Sequence, residues 1–232
     1  MNLYCLPYAG GSSYAYREFV KHIDEQIEIV PIDFPGHGKR LRETLLTDIN
    51  MLSDFTLSLL LNDISSGIPY AIYGHSMGAL VGYQLCRSIE NSGLPLPSHL
   101  FCSGRQAPSI PIKEEDKNFH LLPRHHFIEK VMEYGGMPRE VAAEKDLMDL
   151  FIPVLKADFQ AVDNYNYVDL PPLDVPLTVL IGESEKTTYE DALKWQDVTS
   201  YNIGIKTFPG DHFFIFNHIP EIGRIISAAL LR

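Results

Sequence analysis

The chain has 232 residues, 45% apolar and 11% aromatic, with 30 acidic against 19 basic side chains for a net charge of −11. That length suits one α/β domain with an insertion, or two small domains, and the apolar content supplies a large core. The acidic balance argues against nucleic acid and anionic membranes as partners; binding an acidic protein would need a local basic patch. No apolar run approaches the ~18 residues of a spanning helix, so no membrane segment is expected. The start, Met1-Asn-Leu-Tyr-Cys-Leu-Pro7, has no basic region ahead of its apolar stretch and reads as a core strand, not a signal peptide. Cys5, Cys86 and Cys102 are odd in number, lie in apolar stretches and lack metal or redox spacing. They read as buried free thiols in a reducing cytoplasm.

Short apolar, β-branched runs alternate with helical stretches, the signal for a parallel sheet with crossover helices. Strands are expected at 3–6, 27–32, 70–73, 99–103, 177–181 and 204–208, and helices at 14–22, 49–62, 77–89, 189–198 and 220–230. The last carries Ile222, Ile225, Ile226, Ala229 and Leu230 as an apolar stripe. Residues 106–172 break the rhythm, with helical patterns at 126–134, 138–150 and 151–165 and no convincing strand. That is far more chain than a crossover needs. The expectation is therefore a core of 1–105 and 173–232, with 106–172 inserted as a helical lid that closes the site and selects substrates.

Between the strand at 70–73 and the helix at 77–89 stands Gly74-His75-Ser76-Met77-Gly78. Strand, G-x-S-x-G, helix is the nucleophile elbow of an α/β-hydrolase: a turn sharp enough to strain the serine, with glycines clearing space on either side. The expected architecture is thus a mostly parallel central sheet with helices on both faces, and Ser76 as nucleophile. Its base should follow the last strand, where Phe208-Pro-Gly-Asp-His212-Phe-Phe fits; His218 is the runner-up. The acid should follow the strand at 177–181, in Gly182-Glu183-Ser184-Glu185-Lys186, where no aspartate stands. Glu185 is the first choice, with Glu183, Asp191 and Asp211 as alternatives. A second location used by some related enzymes, the end of the preceding strand, reads Cys102-Ser103-Gly104-Arg105 and has no carboxylate. A glutamate carries its carboxylate about one bond further, ~1.5 Å, so its loop must retract. Two amides should form an oxyanion hole: that of Met77, and that of Ala9 or Tyr8 in Leu6-Pro-Tyr-Ala-Gly-Gly11. His125-His126, read as lacking a carboxylate one helical turn on, gives no metal site.

Six stretches together resemble the stand-alone (type II) thioesterases of nonribosomal peptide and polyketide synthesis. They are Leu6-Pro-Tyr-Ala-Gly-Gly-Ser-Ser13, Asp33-Phe-Pro-Gly-His-Gly38, Gly74-His-Ser-Met-Gly-Ala79, Ser103-Gly-Arg-Gln-Ala-Pro108, Leu155-Lys-Ala-Asp-Phe159 and Pro209-Gly-Asp-His-Phe-Phe214. The resemblance implies hydrolysis of acyl thioesters on the phosphopantetheine arm of carrier proteins, with transient carrier contact, no cofactor of its own and a monomeric, cytoplasmic enzyme. It places Ser76 and His212 on the family's nucleophile and base, Ala9 and Met77 on its oxyanion positions, and the acid on Glu185 where most relatives have aspartate. Lys39, Arg40, Arg42, Arg105 and Arg124 are candidates to contact the arm's phosphate or an acidic carrier, against ordinary solvated surface. Triad residues alone leave two other readings open: an esterase of the same fold acting on small-molecule esters, and a non-catalytic binding module.

Overall fold

In a computed structural model, which describes residues 1–231 other than Gly136 and Pro138, six strands form one sheet. They are β1 (Asn2–Leu6), β2 (Glu28–Pro31), β3 (Tyr70–His75), β4 (Leu100–Ser103), β5 (Leu177–Gly182) and β6 (Gly204–Phe208). The order is β2-β1-β3-β4-β5-β6 and every pairing is parallel. Side chains alternate between two cores. Tyr4, Leu6, Tyr70 and Ile72 point into one, with α1 (Ile49–Ser65) and α2 (Met77–Asn91); Leu3, Cys5, Ala71 and Tyr73 point into the other, with α7 (Ile219–Leu230). Central strands covered on both faces have no polar alternation, so β3, β4 and β5 are buried throughout, while the edge strands β2 and β6 are partly exposed. Each Leu, Ile or Phe so buried contributes about 1.5–3 kcal/mol. Helix α1 begins where the Asp48 side chain accepts the amides of Asn50 and Met51. All three cysteines are buried and free.

Several expected helices come out differently. Residues 14–22 form two short 3-10 turns, Ser13–Tyr16 and Phe19–Lys21. Asp33 holds the Ser13 amide at 2.7 Å and its hydroxyl at 3.0 Å, and Tyr16 reaches back to the Leu6 carbonyl at 2.6 Å. These side chains fix the segment from outside, where a regular helix would point them elsewhere. Between β4 and β5 lie α3 (Arg124–Glu133), α4 (Arg139–Ala143) and α5 (Lys145–Asp163), with no strand among the described residues. The break expected between 150 and 151 does not occur: α5 runs on through Pro153, whose exposed position leaves the freed Asp149 carbonyl to water. Pro138, where the second helix of this region was expected to begin, lies outside the described residues. These helices share a small core of their own, Phe119, Phe127, Val131, Met148, Ile152 and Leu155. Helix α6 (Tyr189–Leu193) runs into a 3-10 turn, Lys194–Val198, which buries Trp195.

One of the tight backbone approaches in the fold joins β1 to α2. A Cβ on Gly78 would lie 2.2 Å from the Leu6 carbonyl oxygen, and the obstacle is backbone. Gly78→Ala should therefore cost about 1–3 kcal/mol as an overpacked site and lower Tm by several °C, roughly 2–4 °C per kcal/mol at this size; circular dichroism melts measure it. His99 supplies a pH test. Its ring stacks on Phe101 with centroids 4.3 Å apart and its Nε2 lies 2.9 Å from Thr178 Oγ1, and burial lowers its pKa to about 4. Between about pH 6.5 and 4 the unfolded chain takes a proton that the folded one refuses, so folding stability should fall as pH falls through that window. Urea denaturation at pH 7 and 4.5 should show the loss, and His99→Gln, which keeps a partner for Thr178, should shrink it.

Candidate active site

Strand order reverses direction at β1, and an open parallel sheet binds ligands outside the carboxyl ends of its strands at such a point. Four loops leave that edge carrying Ala9 after β1, Ser76 after β3, Glu185 after β5 and His212 after β6. Ser76 has φ 55° and ψ −114°, a backbone conformation that non-glycine residues rarely adopt. Its amide is held by the Ser103 carbonyl at 2.7 Å, and α2 starts at the next residue. The strain is fixed by covalent continuity between a buried strand and a buried helix.

The His212 Nδ1 lies 3.0 Å from Glu185 Oε2, and Glu185 Oε1 accepts the Gly182 amide at 2.8 Å. The glutamate thus folds back on the end of its own strand, taking up its extra methylene. Its side chain is 1% exposed against 14% for His212, so the pair is largely shielded from screening. The other carboxylates weighed for this place lie elsewhere. Glu183 is exposed, Asp191 closes the capping box of α6 with Thr188, and Asp211 accepts the Phe213 amide. His218 contacts the Pro209 carbonyl at 2.8 Å.

His212 is flanked by rings. His75 lies 4.9 Å away and Tyr134, at the end of α3, lies 5.7 Å away edge-on. His75 is wholly buried; burial, with a smaller contribution from the charge of His212, pushes its pKa well down, so it is a neutral neighbour. Its Nδ1 pairs with Ser103 Oγ at 3.0 Å. The amides of Ala9 and Met77 have no acceptor among the described residues, which leaves both free to bind an oxygen from outside the chain.

These groups open on a cavity of about 440 Å³. The sheet edge lines it with Tyr8, Ala9, Ser76, Met77 and His212, and the 106–172 region with Phe119, Val131, Tyr134, Leu155 and Phe159. Of the five basic candidates, Arg105 lines this cavity. Its guanidinium makes no hydrogen bond among the described residues, its Nε is buried without a partner, and burial lowers its pKa. Arg40 pairs with Glu43 at 2.7 Å and lies over Phe55, and Arg124 pairs with Asp149; Lys39 and Arg42 are exposed. Sequence reading missed that Glu129 stands one turn after His125, 3.7 Å away. With His126 it forms an exposed group whose ligand atoms lie within 4.8 Å of one another. Sequence reading also assigned no role to Asp158 and His37, which form a buried pair 2.9 Å apart.

The thioesterase domain family matches residues 1–230. The gramicidin S biosynthesis protein GrsT of Aneurinibacillus migulanus is 35% identical over 93% of this chain and 83% of its own. The structure of RedJ, a thioesterase of prodiginine biosynthesis in Streptomyces coelicolor, superposes with a TM-score of 0.88 at 30% identity, covering 97% of this chain and 89% of RedJ. ClbQ from the colibactin pathway, to which the motifs suggested a particular likeness, gives a TM-score of 0.90 at 28% identity over 98% and 95% of the two chains. It stands as one relative among several. The chain belongs to the thioesterase domain family, with an α/β-hydrolase fold and thioester hydrolase activity.

Proposed function

We propose that this protein hydrolyses acyl groups from the phosphopantetheine arm of carrier proteins in nonribosomal peptide or polyketide synthesis, using Ser76, His212 and Glu185. The observation that carries the reading is the convergence of the strained Ser76, the Glu185–His212 pair and two unengaged amides on one cavity. Ser76 Oγ attacks the thioester carbonyl while His212 Nε2 takes its proton, and Glu185 holds the ring by Nδ1 and stabilises the imidazolium. The amides of Ala9 and Met77 bind the developing oxyanion. Collapse breaks the C–S bond, and the arm's thiol leaves with the proton from His212. Water, deprotonated by His212, then attacks the acyl-Ser76 ester, releasing the carboxylic acid and restoring the serine.

A thiolate leaving group, with a conjugate acid of pKa about 8.5, needs much less help from a general acid than an alkoxide does. A glutamate in place of the family's aspartate is compatible with that demand. The 106–172 region acts as a lid whose aromatic and aliphatic side chains receive the acyl chain. Arg105, a cation in the wall whose guanidinium has no hydrogen-bond partner among the described residues, offers donors to an oxygen of the arm or acyl group, and Lys39 and Arg42 offer exposed charge to an acidic carrier. The enzyme works as a cytoplasmic monomer without a cofactor of its own. ClbQ, named for an NRPS/PKS pathway, supports the substrate class, and GrsT and RedJ, named for gramicidin S and prodiginine biosynthesis, are in keeping with it.

Acyl-loaded carrier protein and a p-nitrophenyl ester, each with wild type and Ser76→Ala, test the reading. Faster Ser76-dependent unloading of the carrier is expected; activity confined to the simple ester would sink the carrier assignment, and no Ser76-dependent turnover would point to a binding module. Glu185→Ala should lower kcat by orders of magnitude, up to the ~10⁴ lost with a serine protease's acid function. An unchanged rate would remove Glu185 from the triad.

A further inference from the structure

Asp158 sits in α5, fully buried, and reaches two separate segments of the core. Its Oδ2 accepts the Gly10 amide at 2.6 Å and lies 2.9 Å from His37 Nε2, while Oδ1 has no partner among the described residues. The other ring nitrogen of His37, Nδ1, lies 3.0 Å from the Pro35 carbonyl. Both nitrogens therefore face oxygens. A carbonyl can only accept, so Nδ1 carries hydrogen; a carboxylate oxygen that already receives an amide calls for a second donor at Nε2. This geometry fits a ring holding both protons, an imidazolium paired with the Asp158 carboxylate. Burial opposes that charge. The hydrogen bond and charge of Asp158 from α5, with the Pro35 carbonyl and the Asp33 carboxylate from His37's own loop, outweigh it, and the His37 pKa is raised.

Gly10 follows Ala9, and the two peptide planes that flank Ala9 are each pinned. The Tyr8–Ala9 plane, which carries the Ala9 N–H, is held by the Gly11 amide donating to the Tyr8 carbonyl at 2.8 Å. The Ala9–Gly10 plane is held by Asp158. Helix α5 grips this point a second time, because Leu155 fills the space where a Cβ on Gly10 would stand, 2.5 Å from its Cδ2, and Gly10 has φ +73°. A charge-assisted bond to a buried carboxylate is about twice as strong as a neutral one and more directional. A neutral amide at 158 could accept from Gly10 and from His37, but it would leave a buried imidazolium without a countercharge.

We propose that the Asp158–His37 ion pair is a positioning device that aims the Ala9 amide into the oxyanion hole, so that the hole is completed only when α5 is seated on the core. The proposal rests on the hydrolase reading above, since it gives the Ala9 amide its role. It assigns Asp158 and His37 to orientation, with neither touching the substrate.

Steady-state kinetics of wild type, Asp158→Asn, His37→Gln and the double variant test it, using whichever of the carrier thioester or p-nitrophenyl ester the wild type turns over. Failure of the carrier reading would then appear in the wild type, and failure of this one in the variants. Asp158→Asn should lower kcat about 10- to 100-fold with KM within about twofold, short of the 10²–10³ lost when an oxyanion donor is removed outright. The double variant should be no slower than the slower single, because the pair acts as one unit. A kcat within twofold of wild type, or a raised KM with kcat unchanged, would overturn the proposal. Should the variants not fold by circular dichroism, the wild type decides. ¹⁵N-histidine NMR should find both His37 nitrogens protonated at pH 7.5, with kcat falling at the alkaline pH where that signal titrates. A neutral ring at pH 7.5, or a kcat indifferent to its titration, would equally overturn it.

Discussion

The end of β1 and the start of α2 meet at Gly78, where the Leu6 carbonyl leaves no room for a side chain. Because α2 must pack that closely, the chain between β3 and α2 has a single residue in which to turn, and Ser76 takes the strain at φ 55°. The same approach brings the loop after β1 beside the N-terminus of α2. Two amides from different segments, those of Ala9 and Met77, are thus brought to one edge of the sheet by backbone packing. The site's electrostatics follow from this, since a helix N-terminus and free N–H groups favour negative charge where they point.

The rest of the site hangs on the sheet's other half. Strands β5 and β6 are neighbours in parallel register, so the loops that follow them leave side by side, and Glu185 and His212 meet without a long excursion. Neutral His75 and Tyr134 then fix the plane of His212 by contact, which keeps a second charge away from it. Tyr134 belongs to the region between β4 and β5, as do Asp158 and Leu155. That region contributes a ring contact to His212, a carboxylate to the loop after β1 and apolar wall to the cavity. It braces the machinery as well as covering it.

The parts of this arrangement that are local in sequence were legible there. Ser76 stands in a five-residue motif between a strand and a helix; His212 and Glu185 each follow a strand in the required chain order; and β3, β4 and β5 show as apolar runs because they are buried throughout. Legibility stopped where a distant group decides the outcome. The segment from Ser13 to Lys21 has helical composition, but Asp33 and the Leu6 carbonyl hold it as two 3-10 turns. The boundary expected between 150 and 151 is absent, because α5 runs unbroken from Lys145 to Asp163 with Pro153 on its exposed face. The five basic residues read alike as candidate carrier contacts, but carboxylates at 43 and 149 engage two of them and Arg105 faces inward. His37 and Asp158 are 121 residues apart, and no periodicity links them. Glu129 was readable one turn after His125 and was overlooked.

The central claim is that thioester cleavage passes through an ester on Ser76. Rapid quenching of a stoichiometric mixture of enzyme and acyl-loaded carrier, followed by intact-mass and peptide mass spectrometry, tests it directly. The account predicts a transient adduct of the acyl mass on the peptide containing Ser76, formed as the carrier loses the same mass and decaying as free acid appears. Free acid released with no adduct on that peptide, under conditions where acylation outruns hydrolysis, or an adduct on a different residue, would contradict it.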